Sequence, residues 1–121
     1  MEKRKQYRHL NAFVLLALAE APSHGAAVHD ALLHKLPVFK ADTGAVYRAL
    51  QKLERDGEIA SGWDTGQSGP PRKVYRLTPL GWERLAFWKG DIETRMRILS
   101  VFLEAYERLS PPEPDEAGAK Q

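Results

Sequence analysis

The chain contains no cysteine. Disulfides and thiolate metal sites are therefore excluded, and nothing argues for secretion. Long hydrophobic runs are missing too. The stretch Phe13-Val14-Leu15-Leu16-Ala17-Leu18-Ala19 is far too short for a bilayer, which takes about 20 apolar residues in a helix. Lys3, Arg4 and Lys5 precede it, as in a signal peptide, but Glu20 and Pro22-Ser23-His24 follow in place of a small-residue cleavage site. A core helix in a cytoplasmic protein is the expectation, with no membrane partner. An excess of one charge is scarce as well: 18 Lys and Arg stand against 16 Asp and Glu, a net +2. Bulk charge alone marks no nucleic-acid binder. Of the histidines His9, His24, His29 and His34, the last three are spaced by five, which does not stack ligands on a helical face as a spacing of four would. No carboxylate triad, nucleophile–base pattern or phosphate-binding glycine loop accompanies them, so no metal, no cofactor and no enzyme activity are expected.

What is present suits one compact domain with an extra arm: 121 residues, 43% of them hydrophobic and 28% charged. The charge is unevenly spread. Residues 1–80 carry 12 Lys and Arg against 8 Asp and Glu, whereas residues 81–121 carry 6 against 8. The basic excess thus lies in the first two thirds, where a polyanionic partner would meet it.

Leu10, Phe13, Val14, Ala17, Leu18 and Ala21 recur at helical spacing and predict a first helix over residues 6–20, ended by Pro22-Ser23. Ser23 is the expected N-cap of a second helix, residues 24–36, with Val28, Leu32 and Leu36 on one face and Pro37 as its stop. Asp42 caps a third helix, because its carboxylate can accept the free amide protons of the first turn, and Gly57 supplies the closing turn. Val46, Ala49, Leu50 and Leu53 gather on one side of that helix. The opposite side presents Gly44, Arg48, Gln51 and Arg55, flanked by Tyr47 and Lys52. Arg and Gln make paired hydrogen bonds to base edges, whereas Lys suits phosphate. A solvated charged face would look the same in isolation.

The neighbouring segments add to it. Ile59, Ser61 and Trp63 alternate on one side of a strand, and Tyr75 and Leu77 share a face of a second. Between them, Asp64-Thr65-Gly66-Gln67-Ser68-Gly69-Pro70-Pro71 has the turn chemistry of an exposed loop, with Arg72 and Lys73 just beyond. Cations at a hairpin tip either blunt a sheet edge or meet phosphate. A helix with an outward basic face followed by a basic hairpin is a winged helix-turn-helix layout. Thr43, Gly44, Tyr47, Arg48, Gln51, Lys52, Arg55, Arg72 and Lys73 are its candidate DNA contacts.

Thr78-Pro79 predicts a further helix start, running to Leu109. Trp82, Leu85, Lys89, Ile92, Met96, Leu99, Leu103 and Tyr106 fall at spacings of three and four, a heptad seam with one polar member. Trp88, Ile98, Val101, Phe102, Ala105 and Leu109 form a second strip. So apolar a helix cannot be covered by so small a domain, and self-association is the simplest remedy. Leu85, Ile92, Met96, Leu99, Leu103 and Tyr106 are the candidate dimer contacts. The expected organisation is a winged helix-turn-helix domain over 1–78, a dimerisation helix over 79–109, and a disordered, proline-bearing tail over 110–121. The fold class is mainly α with a small β-hairpin.

Three segments together resemble the PadR family of bacterial transcriptional regulators: Leu15-Leu16-Ala17-Leu18-Ala19-Glu20-Ala21-Pro22-Ser23-His24-Gly25, then Gly44 to Glu54 with Gly57, then Gly69-Pro70-Pro71-Arg72-Lys73-Val74-Tyr75-Arg76-Leu77-Thr78 with Gly81. The resemblance implies a homodimeric repressor on a palindromic operator in double-stranded DNA, with the third helix in the major groove, the hairpin as wing and the last helix as dimer contact. It also implies release by a small aromatic or drug-like effector, for which Trp82, Trp88, Lys89 and Ile92 are the candidate pocket. Ala26 stands where the family often has Tyr, Ala45 where Thr is common, and Arg48 where Pro is frequent. The alternatives are a winged helix used for protein–protein contact, or a DNA-binding regulator without a small-molecule effector.

Overall fold

A computed structural model describes residues 8–36, 42–66 and 69–113. Helix α1 is Leu10–Glu20, with Leu10, Ala12, Val14, Leu15, Ala17 and Leu18 buried. Arg8 and His9 before it form a turn, and Gln6 and Tyr7 of the predicted helix lie outside the described residues. Ala21 is extended and exposed rather than part of the helical face, as the residue before Pro22 must be. The chain then makes an unforeseen strand, β1, Ser23–His24.

Helix α2 follows as Gly25–Lys35. Its N-cap is His24, not Ser23: the ring Nδ1 lies 3.4 Å from the Ala27 amide. Ser23 instead donates its hydroxyl to the Ala21 carbonyl at 3.1 Å. Strand pairing explains the shift, since Ser23 and His24 align antiparallel with Tyr75 and Val74 and leave the helix to begin one residue later. Pro37, the expected stop, lies outside the described residues, as do Gln67 and Ser68 of the loop and residues 114–121 of the tail.

Helix α3, Thr43–Arg55, is capped as expected: Asp42 Oδ1 accepts from the Ala45 amide at 2.8 Å. It ends in a turn that closes through Glu58 N–H to the Leu53 carbonyl at 2.9 Å, with Gly57 at φ 80°. That left-handed conformation favours glycine. Strands β2, Ile59–Asp64, and β3, Arg72–Leu77, form the hairpin, and the described sheet has the order β1-β3-β2, all antiparallel. Ser61 faces Tyr75 across the ladder and Trp63 faces Lys73. Burial fades outward along β2: Ile59 is in the core, whereas Trp63 is 67% exposed and does not share that burial.

Helix α4 is Pro79–Glu107, two residues shorter than predicted. Its start is built as Thr-Pro implies. Thr78 Oγ1 accepts from the Gly81 amide at 3.1 Å and donates to the Gly57 carbonyl at 2.7 Å. The chain divides into two compact units, Met1–Trp88 and Lys89–Gln121. The first has its core in Val14, Leu15, Val28, Leu32, Val46, Leu50, Leu53 and Ile59, with Phe13, Leu77, Leu85 and Trp88 packed against it. Within the second, Lys89–Glu93 at 2.7 Å and Asp91–Arg95 at 3.0 Å pair along the helix. Met96, Ile98, Leu99, Val101, Phe102, Leu103, Tyr106 and Leu109 are all exposed there. No described helix is long and apolar enough to cross a membrane.

Two glycines of α4 should respond oppositely to alanine. A Cβ at Gly81 would run into the Glu58 carbonyl, whereas one at Gly90 meets nothing within 4 Å. Gly81→Ala should lower the unfolding free energy by about 1–3 kcal/mol through backbone crowding. Gly90→Ala should raise it by about 0.5–1 kcal/mol through helix propensity. Urea titrations of both variants decide the point, and two changes of the same sign would contradict it.

Glu58 supplies a pH test. Its side chain is 10% exposed and stands 3.6 Å from Arg84. Burial pushes its carboxyl above the ordinary 4.5, and Arg84 only partly opposes this. The folded state therefore holds the proton more tightly than the unfolded state. Stability contributed by Glu58 is lost as pH rises from 4.5 through the raised value. Glu58→Gln should gain stability relative to wild type between acid and neutral pH, read from denaturant midpoints on both sides of that window. A difference independent of pH would rule this out.

Candidate nucleic-acid interface

The outward side of α3 follows from its period. Ala45, Val46, Ala49, Leu50 and Leu53 are buried, so Thr43, Gly44, Tyr47, Arg48, Gln51, Lys52 and Arg55 are left exposed. All seven lie where the sequence puts them. Arg48, Gln51 and Arg55 make no hydrogen bond or ion pair with another described residue. Lys52 differs, being paired with Asp56 at 3.0 Å one turn on. Ala45 points into the core at 5% exposure, so its hydroxyl-free side chain takes nothing from the outer face.

The wing cations are less free than the sequence suggests. Lys73 lies 3.5 Å from Glu54 of α3 and 5.5 Å from the centre of the Tyr75 ring. The same Glu54 accepts the Ser61 hydroxyl at 2.5 Å. One carboxylate therefore ties α3 to both strands of the hairpin. Being partly solvated, each contact is worth no more than about 1 kcal/mol, but together they fix the hairpin's angle to the helix. Arg72 places Nη1 2.7 Å from Nε2 of His24. Neither Glu54 nor His24 is marked as a site residue by the sequence pattern. The only local hint was His24-Gly25 at a helix start, and nothing in the spacing tells which residue Glu54 meets.

Between the α2 start, α3 and β3 lies an open cleft of about 420 Å³ lined by His24, Gly25, Ala26, Tyr47, Arg72, Lys73 and Tyr75. Gly25 leaves room there for the Tyr47 ring, whose outer end a Cβ would push aside. Tyr47 is thereby seated over the α2 start while staying 39% exposed.

The remaining candidates are on α4. Leu85 is half-buried against the core of its own unit, unlike Met96, Leu99, Leu103 and Tyr106, which are exposed. Ile92 is half-buried and Lys89 pairs with Glu93. Trp82 is 54% exposed, whereas Trp88 packs against the core with its ring edge-on to His9 at 5.9 Å. Among the described residues, no group of His, Asp or Glu side chains could hold a metal ion.

Comparison with known proteins agrees with this geometry. Residues 14–86 match the model of the transcriptional regulator PadR-like family. The chain is similar to a conserved protein solved as a potential transcriptional factor, with 34% identity over 85% of this chain and 91% of that one at a TM-score of 0.75. It is also similar to a PadR family transcription regulator from Clostridium difficile, with 23% identity, coverage of 78% and 98%, and a TM-score of 0.70. A third likeness is to Bacillus subtilis PadR, solved in complex with operator DNA, with 24% identity over 67% of this chain and 46% of that one and a TM-score of 0.60. With its winged helix matched from α1 into α4, the chain belongs to the PadR-like family of transcriptional regulators.

Proposed function

We propose that the protein is a homodimeric repressor that binds a palindromic operator in duplex DNA, with α3 in the major groove and the β2–β3 hairpin as wing. The family is one of regulators, not of enzymes. The observation that carries the reading is the outer stripe of α3. Arg48, Gln51 and Arg55 stand exposed without a described partner, beside a wing whose Arg72 and Lys73 are already held. A surface used only for protein contact has little need of both features. The operator complex of the Bacillus subtilis relative supports the same partner. Control by a planar effector is carried over from the family resemblance. Trp82 offers an exposed ring for such a guest, whereas Trp88 is largely committed to the core.

The DNA reading makes a quantitative demand. If each protomer neutralises about 3–4 phosphates, the log–log salt slope of binding should be about −5 to −7. Arg48→Ala should relax base preference by about 1–3 kcal/mol, as loss of a paired base-edge contact does. Selection from a randomised duplex pool, followed by anisotropy titrations, measures both. Affinity unchanged between low and high salt would sink the reading.

The dimer is proposed from the exposed apolar strip of the second unit. Phe102 and Tyr106 stack at 6.5 Å within a surface that the chain itself leaves uncovered. Such a strip is stable in water when a second copy covers it. Leu99→Asp would bury an unpaired charge in that contact. The variant should sediment as a monomer or aggregate, and operator affinity should collapse because the two half-sites are no longer linked. A monomeric wild type, or a Leu99→Asp protein that remains dimeric, would refute the arrangement.

A further inference from the structure

Two contacts converge on His24. Nδ1 lies 3.4 Å from the Ala27 amide and Nε2 lies 2.7 Å from Arg72 Nη1. Both partners are donors, since a guanidinium has no acceptor. A neutral imidazole has one acceptor nitrogen and one N–H, so His24 can accept from only one of them. The Arg72 contact is the shorter and is charge-assisted. The favoured tautomer therefore carries its proton on Nδ1 and accepts from Arg72 through Nε2. The helix gives up most of its cap, and the arginine is held in place.

The place matters. Arg72, Lys73 and Tyr47 all line the cleft, and none of its lining residues is acidic. Lys73 is fixed by Glu54 and Tyr75, and Tyr47 by its seat over Gly25. Two cationic residues, one of them paired with Glu54, and Tyr47 thus border a space large enough for a polyatomic anion. They border the outer face of α3, where duplex DNA would lie.

We propose that this cleft seats one backbone phosphate of the DNA, and that His24 is the positioning residue that presents Arg72 to it. The proposal rests on the DNA-binding reading and adds to it a defined phosphate seat and a residue outside the contact face.

Amide side chains separate the two nitrogen positions of His24. Asn carries its oxygen where Nδ1 stood, offering the Ala27 amide the acceptor that the Nδ1–H tautomer withholds, and loses Arg72. Gln carries its oxygen where Nε2 stood, keeping Arg72. Binding to a duplex of about 20 base pairs, two helical turns, is measured by anisotropy across a salt series. Thermal unfolding of each variant is followed in parallel. His24→Asn should retain or raise the melting temperature, bind on the order of tenfold more weakly at roughly 0.1 M salt, and flatten the slope by about 0.9 per protomer. His24→Gln should bind like wild type. Arg72→Ala should reproduce the loss seen in His24→Asn, and the double variant should lose nothing more, as coupled partners do.

His24→Asn with wild-type affinity and slope, or losses that add in the double variant, would overturn the positioning role and leave DNA binding standing. Arg72 is exposed, so Arg72→Ala tests the seat even if a His24 variant fails to fold; a wild-type slope there overturns it. A wild-type protein that binds no duplex at any salt overturns the DNA reading, and the phosphate seat with it.

Discussion

The carbonyls of Gly57 and Glu58 form the joint on which the first unit depends. Thr78 donates its hydroxyl to the Gly57 carbonyl and its amide to the Glu58 carbonyl, while the same hydroxyl caps α4 through Gly81. The end of α3, the start of β2, the end of β3 and the start of α4 are therefore tied within a few ångströms. Buried polar backbone must find partners, and here each end satisfies another. Gly81 is the steric condition for the closeness, since any side chain there would displace the carbonyl. The start of α4 is thus anchored by backbone geometry as well as by the packing of Leu85 and Trp88 against the core.

Around that joint the outer surface is organised by side chains that join one element to another. Glu54 links α3 to β2 and β3, and His24 links the α2 start to β3. Such contacts add little stability in water. What they supply is a narrow range of positions for Lys73 and Arg72 before any partner arrives. A partner that needs both cations at once then loses less conformational entropy on binding.

Sequence reading succeeds here where the signal is local. Asp42 as a cap, Gly57 as a left-handed turn and Thr78-Pro79 as a helix start are each decided within four residues. The faces of α3 and the alternation along the hairpin strands follow from periods of 3.6 and 2. It fails where the deciding partner is distant. The Ser23–His24 strand exists because β3 pairs with it, and His24 meets Arg72 across 48 positions of sequence. Ser23 is a good cap in isolation, and tertiary pairing overrides that preference. Trp63 fits an alternating strand pattern but lies where the hairpin has outrun the core. The nine candidate contact residues were legible because they are the polar remainder of elements whose buried sides are unambiguous. The residues that hold them were not, because a carboxylate or an imidazole carries no label for its partner.

The hairpin's geometry also has an optical consequence. Trp63 faces Lys73 across the ladder, near Arg72, and is 67% exposed. Trp88 is half-buried. A dissolved quencher will therefore reach the exposed indoles of Trp63 and Trp82 well before that of Trp88. The protein carries, without any label, a fluorophore on its own wing.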